Sequence, residues 1–442
     1  NTVVGDEAGT AITTGDNNTA VGYSALVANT TGASNSAFGL NSLYTNTTGG
    51  SNVAVGQDAL FANTTASNNT AVGKSALGAN TTGADNTALG FSSLSANISG
   101  TLNTAVGRSA LASDTKGNNS VAVGYNTLNA QNFTSATDVY NTAVGYAAGA
   151  AVTTATGSTL IGGLSGDAIT TGANNTAVGS SSLSATTTGA QNTALGTQAL
   201  LNNTTANNNT AVGMNSLFAN TTGTQNTALG ALALDANTTA NDNVAIGYGA
   251  LTANTTGSEN TAVGGYNTLG ANTTGANNVA VGRLALTANT TASNNTAVGK
   301  SALVANTTGA ANVAVGKGAL DANTTAGDNT AVGTNSLTDN TTGALNTAVG
   351  NEALANNTTA DENTAVGSLS LFTNTTGAAN TAVGHDSLRL NTTGASNSAF
   401  GKDALRANTT GASNTALGTD ALVANTTGTQ NVAIGPQASL AN

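Results

Sequence analysis

Residues able to carry out acid–base or nucleophilic chemistry are scarce in this chain. It has one histidine, His385, and no cysteine. Asp386 follows His385, and a His–Asp pair is a possible general base with its orienting carboxylate. Neighbouring strand residues point to opposite faces, so we do not expect Asp386 to orient His385. His385 also occupies a repeat position taken elsewhere by Lys74, Arg108 and Lys402. We interpret it as an exposed scaffold residue and predict no catalytic residues and no enzyme activity.

Patterns for metals, phosphates and cofactors are also missing from the sequence. The 20 acidic residues form no repeating row, and the G-G-x-G-x-D nonapeptide typical of calcium-binding β-rolls does not occur. The phosphate-binding pattern G-x-x-x-x-G-K-[ST] is absent, and Gly49-Gly50 is interpreted as a turn. Without cysteine there is no thiolate site. We therefore predict no metal site and no cofactor.

The sequence is dominated by a repeat of the form N-T-A-V-G, followed by A-L-x-A-N-T-T-G. The glycine that closes N-T-A-V-G, called here the marker glycine, occurs 26 times between Gly5 and Gly435. Of the 25 intervals between marker glycines, 23 are 17 residues long. Such a short, strict period is typical of a solenoid of stacked coils.

The residues before each marker glycine alternate as in a β-strand. Positions are numbered from that glycine: −1 is large and apolar, −2 is Ala in 24 repeats, −3 is Thr, Val or Ser, and −4 is Asn in 24 repeats. Alternate strand residues share a face. We expect positions −1 and −3 to face the core, and positions −2 and −4 to face outward.

A second position that is usually apolar follows each marker glycine. Leu occupies position +4, or the next position at Leu269, in 22 repeats. We expect a second short strand here, although A-L-x-A-N is also compatible with one helical turn. Turns are expected at the marker glycine and at N-T-T-G. The predicted fold is all-β, a parallel β-solenoid (β-roll) of about 26 coils of 17 residues.

Stacked coils place like residues above one another at the strand spacing of ~4.8 Å. Two ladders of stacked asparagine amides are therefore predicted. One contains Asn29, Asn46, Asn63 and Asn80, and the other contains Asn18, Asn35, Asn52 and Asn69.

Residues 1–442 are predicted to form a single repetitive domain with an irregular seam at 125–172. Four extra residues lie between Gly124 and Gly145, and the next two coils have Gly149 and Gly166 in place of Leu. Because both termini fall within repeats, we expect the chain to be a segment of a longer protein.

The segment 119–124 reads N-S-V-A-V-G. It resembles the N-S-V-A-I-G signature of the YadA-like head repeats of trimeric autotransporter adhesins, and the N-T-A-V-G arrays are similar to repeats of bacterial and phage fibre proteins. The resemblance extends over nearly the whole chain, through a short motif. It implies a left-handed parallel β-roll with three chains side by side on a bacterial surface, binding matrix or host molecules.

The composition of the chain restricts the classes of partner that we expect it to bind. Charged residues are 7% of the chain and the net charge is −11, which disfavours nucleic acid and anionic membranes. No apolar run reaches the length of a membrane span. We expect self-association into a homotrimer or an end-to-end filament. The expected contact is the row containing Ala20, Ala54, Ala71 and Ala88.

The predicted function is a non-enzymatic extracellular structural fibre or adhesin head, on a cell surface or a virion, that also contacts host or matrix surface molecules. The alternative is a ligand-binding solenoid for glycan or ice. Ice binding is disfavoured because the strand threonine is expected to face inward. The aromatic residues that follow marker glycines are interpreted equally well as ligand contacts, inter-chain contacts or scattered surface residues: Tyr23, Phe91, Tyr125, Tyr146 and Tyr248.

Overall fold

The computed structural model describes residues 1–439, and within that range it contains short β-strands and turns but no helix. The chain divides into two compact units, Asn1–Thr224 and Gln225–Asn442. Each unit is a parallel β-solenoid whose coils contribute one three-residue strand apiece. The predicted all-β parallel solenoid with about 17 residues per coil is confirmed.

Thirteen coil strands and two short additional strands make up the described part of the first unit. They are β1 (Thr2–Val4), β2 (Thr19–Val21), β3 (Ser36–Phe38), β4 (Val53–Val55), β5 (Thr70–Val72), β6 (Thr87–Leu89), β7 (Thr104–Val106), β8 (Gly117–Asn118), β9 (Val121–Val123), β10 (Thr137–Asp138), β11 (Thr142–Val144), β12 (Thr159–Ile161), β13 (Thr176–Val178), β14 (Thr193–Leu195) and β15 (Thr210–Val212).

Thirteen coil strands also make up the second unit as far as residue 439. They are β16 (Thr227–Leu229), β17 (Val244–Ile246), β18 (Thr261–Val263), β19 (Val279–Val281), β20 (Thr296–Val298), β21 (Val313–Val315), β22 (Thr330–Val332), β23 (Thr347–Val349), β24 (Thr364–Val366), β25 (Thr381–Val383), β26 (Ser398–Phe400), β27 (Thr415–Leu417) and β28 (Val432–Ile434).

Within each unit, successive coil strands pair in parallel and in register. Thr2 pairs with Thr19, and Ala20 pairs with Ala37. The same register crosses the seam, where β9 pairs with β11 and Val121 faces Thr142. β8 and β10 form a separate parallel pair. Each residue therefore lies above its counterpart in the next coil.

The strand faces are oriented opposite to the sequence expectation. Ala71 at position −2 is fully buried, whereas Val72 at −1 and Thr70 at −3 are half-buried on the outer side. The prediction that positions −1 and −3 share one face and positions −2 and −4 share the other was correct. The face that points inward, however, is the one that carries Ala and Asn. The coil is so thin that alanine fills the space opposite the fully buried Leu77.

Within residues 1–439, the +4 leucine lies in neither a second strand nor a helical turn. After the marker glycine, the backbone passes through the left-handed region at positions +2 and +4, for example at Ser24 (φ 53°) and Leu26 (φ 54°), and again at +12, as at Ser34 (φ 61°). The turns at +2 and +4 bring the +4 leucine into the core. Coil-to-coil hydrogen bonds continue here, because the Leu26 N–H donates to the Ser42 carbonyl at 3.0 Å. Periodicity located the leucine correctly but did not reveal its backbone conformation.

The coils approach one another so closely at the marker position that only glycine fits there. Gly22 has φ 137°, and a Cβ placed there would lie 2.6 Å from the carbonyl oxygen of Gly39 in the next coil. Any side chain at this position would push the coils apart. The repeat therefore keeps glycine at the point where the strand ends.

Both predicted asparagine ladders are present. In the first, Asn46 Nδ2 donates to Asn29 Oδ1 at 2.8 Å and to the Gly49 carbonyl at 2.9 Å. In the second, the Asn35 N–H and Nδ2 both donate to Asn18 Oδ1, at 2.9 and 3.2 Å. These buried amides thus bond both to the neighbouring coil and to the turns of the backbone.

The seam preserves the volume of the core by exchanging side chains. Gly166 replaces the +4 leucine, while Ile169 replaces the ladder asparagine and Leu160 replaces the strand alanine. Ile169 and Leu160 are fully buried, and a Cβ on Gly166 would lie 2.8 Å from each of their side chains. The same exchange pairs Gly149 with the buried Val152.

We predict that Ala71→Asp and Leu77→Asp open the surrounding coils, because a buried unpaired carboxylate costs about 3–5 kcal/mol. Val72→Asp is expected to cost about 1 kcal/mol or less, because its side chain reaches solvent. Amide hydrogen exchange in the flanking coils measures the difference, with Lys74→Ser as the control. Equal loss of protection in Ala71→Asp and Val72→Asp would contradict this assignment of faces.

We further predict that Gly166→Leu alone destabilises the seam by about 1–3 kcal/mol through overpacking. Adding Leu160→Ala and Ile169→Asn restores the usual residues of the repeat and should recover most of that loss. Leucine adopts the required backbone in the next coil, where Leu183 has φ 51°. Thermal unfolding of the single and triple variants tests the exchange, which is refuted if the triple variant is no more stable than the single one.

Candidate assembly surface

Each coil strand presents two side chains to the outside, at positions −3 and −1, and these two rows are called here the outer strand face. The −1 side chain is large and apolar in every described coil, and the leucines at this position are well exposed: Leu89 is 46% and Leu229 is 47% accessible. The −3 side chain beside it is Thr, Val or Ser. The in-register pairing holds both rows straight within each unit.

The outer strand face carries no ionisable side chain in any coil strand of residues 1–439. Two residues along the strand and one strand spacing give about 30 Å² per coil, or roughly 400 Å² over the thirteen coils of a unit. That area lies within the size range of the largest apolar patch on a typical monomer. The patch is a narrow, charge-free stripe repeated with the coil period.

The alanine row that the sequence suggested as an inter-chain contact is not accessible. Ala20, Ala54, Ala71 and Ala88 are all fully buried inside their own coils. They face the +4 leucines across the core, so another chain cannot reach them. The outer strand face, which the sequence analysis had placed inside, is the apolar surface that remains available.

Aromatic residues after the marker glycines form exposed stacks beside the outer strand face. Tyr125 and Tyr146 stack with ring centroids 5.6 Å apart, and the Arg108 guanidinium lies 5.5 Å from the Phe91 ring centroid and 5.9 Å from that of Tyr125. Tyr23 is half exposed without such a ring contact among those described. Tyr146 at the end of this stack remains 61% exposed, because the next coil has glycine at the same position.

His385 and Asp386 lie in the turn after Gly384, not in a strand, and the expectation that they point apart is wrong. His385 Nδ1 lies 3.2 Å from Asp386 Oδ2, and Arg389 lies 3.3 Å from the other oxygen of the same carboxylate. Asp403 makes the corresponding contacts with Lys402 and Arg406 in the next coil. The repetition in successive coils indicates a local charge pairing along the turn rather than an isolated reactive pair.

Titratable groups do not converge elsewhere in the described chain. Within residues 1–439, no three His, Cys, Asp or Glu side chains are grouped so that they could hold a metal ion. Burial, and then the nearby Asp339 carboxylate, raise the pKa of Asp321 above its ordinary value. Both carboxylates reach the coil surface.

No known protein-family model matches the chain, and no curated protein is significantly similar to it in sequence. The described residues include no helix with the length and hydrophobicity needed to span a bilayer.

Proposed function

We propose that the chain is a non-enzymatic structural fibre or adhesin head on an extracellular surface, and that chains associate side by side through the outer strand face. The observation that carries this proposal is the presence of a large, partly exposed apolar residue in every coil of a face that has no charge. Covering those side chains is favourable by about 25 cal/mol per Å² of apolar surface. A charged residue at any coil would oppose the association.

A second copy of the same chain is the partner whose periodicity matches this face. Side chains on the face recur once per coil, at the ~4.8 Å strand spacing. Another copy presents the same spacing and places its apolar row against this one coil by coil, as a closed symmetric assembly requires. The resemblance to trimeric autotransporter heads favours three chains enclosing one apolar axis.

The extracellular role is supported by the repetitive architecture and by composition. Within each unit, hydrogen bonds link neighbouring coils through strands and turns, and through the asparagine ladders wherever these are uninterrupted, which suits a load-bearing element. The chain has no cysteine that oxidation outside the cell would cross-link. Host or matrix molecules would then contact the turn side of the coils, which the assembly leaves open.

Ice binding is a second candidate function, because the structure removes the argument against it. The strand threonine faces outward beside the apolar −1 residue, as at Thr70 and Val72. This gives two straight, regularly spaced ranks of hydroxyl and methyl groups. Bulkier residues at −1, such as Phe38, Leu89 and Phe400, interrupt the flatness that an ice plane would need.

We predict that the native protein has the mass of three 42.3 kDa chains. Leu89→Glu with Leu195→Glu in the first unit, and Leu229→Glu with Leu417→Glu in the second, should dissociate it into single chains that keep their circular-dichroism spectrum. Leu102→Glu with Leu345→Glu is the matched control, because both residues are 56% exposed and lie outside the coil strands. Sedimentation-velocity ultracentrifugation gives the masses.

A wild-type particle with the mass of one chain would overturn the assembly proposal. If that single chain also arrested ice growth in a thermal-hysteresis measurement, and the glutamate variants did not, the ice-binding alternative would be adopted. Equal dissociation in the control variant would show that the outer strand face has no special role.

A further inference from the structure

A surface depression of about 670 Å³ lies on the turn side of the first unit, away from the outer strand face. It crosses the third to sixth coils, counted from the coil of Gly5. Its lining includes one aromatic ring, a carboxylate and several small polar groups: Asn41, Asp58, Phe61, Ser75, Gly78 and Ser95.

The ring at the edge of the depression has one covered face and one open face. Tyr44 and Phe61 occupy position +5 of successive coils and stack with centroids 5.1 Å apart and planes 9° from parallel. Position +5 of the next coil is Gly78, which has no side chain, and Ser95 follows one coil further. The second face of Phe61 therefore looks across a gap of about two coil spacings, roughly 9.6 Å. One ring-sized ligand fits there as the missing member of the stack.

Polar atoms around this gap are mostly hydrogen-bond acceptors. Asp58 is fixed by the amides of Asn41 and Gln57, each donating to one carboxylate oxygen at 3.0 Å. The Ser95 hydroxyl donates to the Ala112 carbonyl at 3.2 Å, which leaves its oxygen lone pairs to accept a bond. No lysine or arginine lines the depression. A ligand that donates several hydrogen bonds and carries no negative charge is complementary to it.

A second depression, of about 240 Å³, combines similar groups in the other unit, but in the opposite order along the chain, with the ring at the last of the three +5 positions instead of the first. Phe372 takes the place of Phe61 at position +5, and Ala355 and Thr338 occupy +5 in the two coils before it. The carboxylate at +2 is Glu352, and the +2 amide is Asn335. Both depressions thus combine an aromatic ring, a small +5 neighbour, a hydroxyl one coil further, and a +2 carboxylate.

We propose that these two depressions are binding subsites for uncharged saccharides. The apolar C–H face of a pyranose stacks on the open face of Phe61 or Phe372, in the position left by Gly78 or Ala355. Its hydroxyl groups donate to Asp58 and Ser95, or to Glu352 and Thr338, and such bonds to a carboxylate are the stronger kind. The acidic lining repels phosphorylated or sulfated ligands.

The proposal is independent of chain assembly. Both subsites lie on the turn segments after marker glycines, so covering the outer strand face leaves them open. A protein of one chain or of three would display them alike, and the mass measurement described above tests a separate claim.

Saturation-transfer difference NMR with the methyl pyranosides of β-glucose, β-galactose and α-mannose, at millimolar concentration, tests the subsites on the full chain. At least one glycoside should show protein-dependent signals. Phe61→Ala with Phe372→Ala should weaken its affinity about tenfold, as expected for losing an aromatic stacking contact. Phe91→Ala with Tyr248→Ala removes two exposed aromatics outside both depressions and should leave binding unchanged.

Gly78→Val with Ala355→Val provides a variant that fills the gaps and keeps both aromatic rings. Valine already occupies position +5 at Val27, Val304 and Val423, so the coil tolerates it. Thermal unfolding confirms that each variant is folded, and the filled variant should lose the sugar signals. The proposal is refuted if no glycoside binds the wild type, if the phenylalanine and valine variants bind normally, or if only an apolar probe such as benzyl alcohol binds.

Discussion

The stacking of each residue on its own counterpart is the constraint on which the rest of this structure depends. Coils approach so closely at the marker glycines that a single Cβ at Gly22 would strike the backbone of the next coil. At that spacing, every buried position must tolerate a copy of itself above and below. Apolar side chains meet this condition by packing, and backbone groups meet it by bonding from coil to coil. Like charges repeated at every coil would repel, which is consistent with a composition that is only 7% charged.

Among polar residues, asparagine also tolerates a copy of itself in the neighbouring coils, because its amide both donates and accepts hydrogen bonds. The interruption of the first ladder shows why both capacities are needed. At the position after Asn97 the ladder has Asp114, whose carboxylate accepts bonds from the Gly117 N–H, the Phe133 N–H and Gln131 Nε2. A carboxylate has no hydrogen to donate, and the buried Asn97 Oδ1 is left without a hydrogen-bond partner. This break in the ladder lies in the coil just before the seam.

Constant and variable positions in the coil divide the surface into two kinds. The outer strand face barely varies and carries no charge, so it presents the same chemistry at every level and suits association with a matching copy. Positions +1, +2 and +5 vary widely, and most of their side chains reach solvent. There, neighbouring coils can assemble a local feature from a few substitutions, as at Phe61, Gly78 and Asp58. A repetitive scaffold with a uniform contact face and locally varied turns is the physical basis for the proposed fibre with binding subsites.

The sequence alone determined the coil length, the parallel stacking, the buried leucines and both asparagine ladders, because each follows from a strict period of 17. It also established which strand positions share a face. It did not determine which face is inside: size and hydrophobicity favoured Val72 over Ala71, but the coil is too thin to enclose the larger residue. The left-handed turns at Ser24 and Leu26 could not be predicted from the sequence either, since no local rule predicts leucine at positive φ. Only the folded coil, with its interior width and its turn geometry fixed, decided that alanine lies inside and that valine is left at the surface.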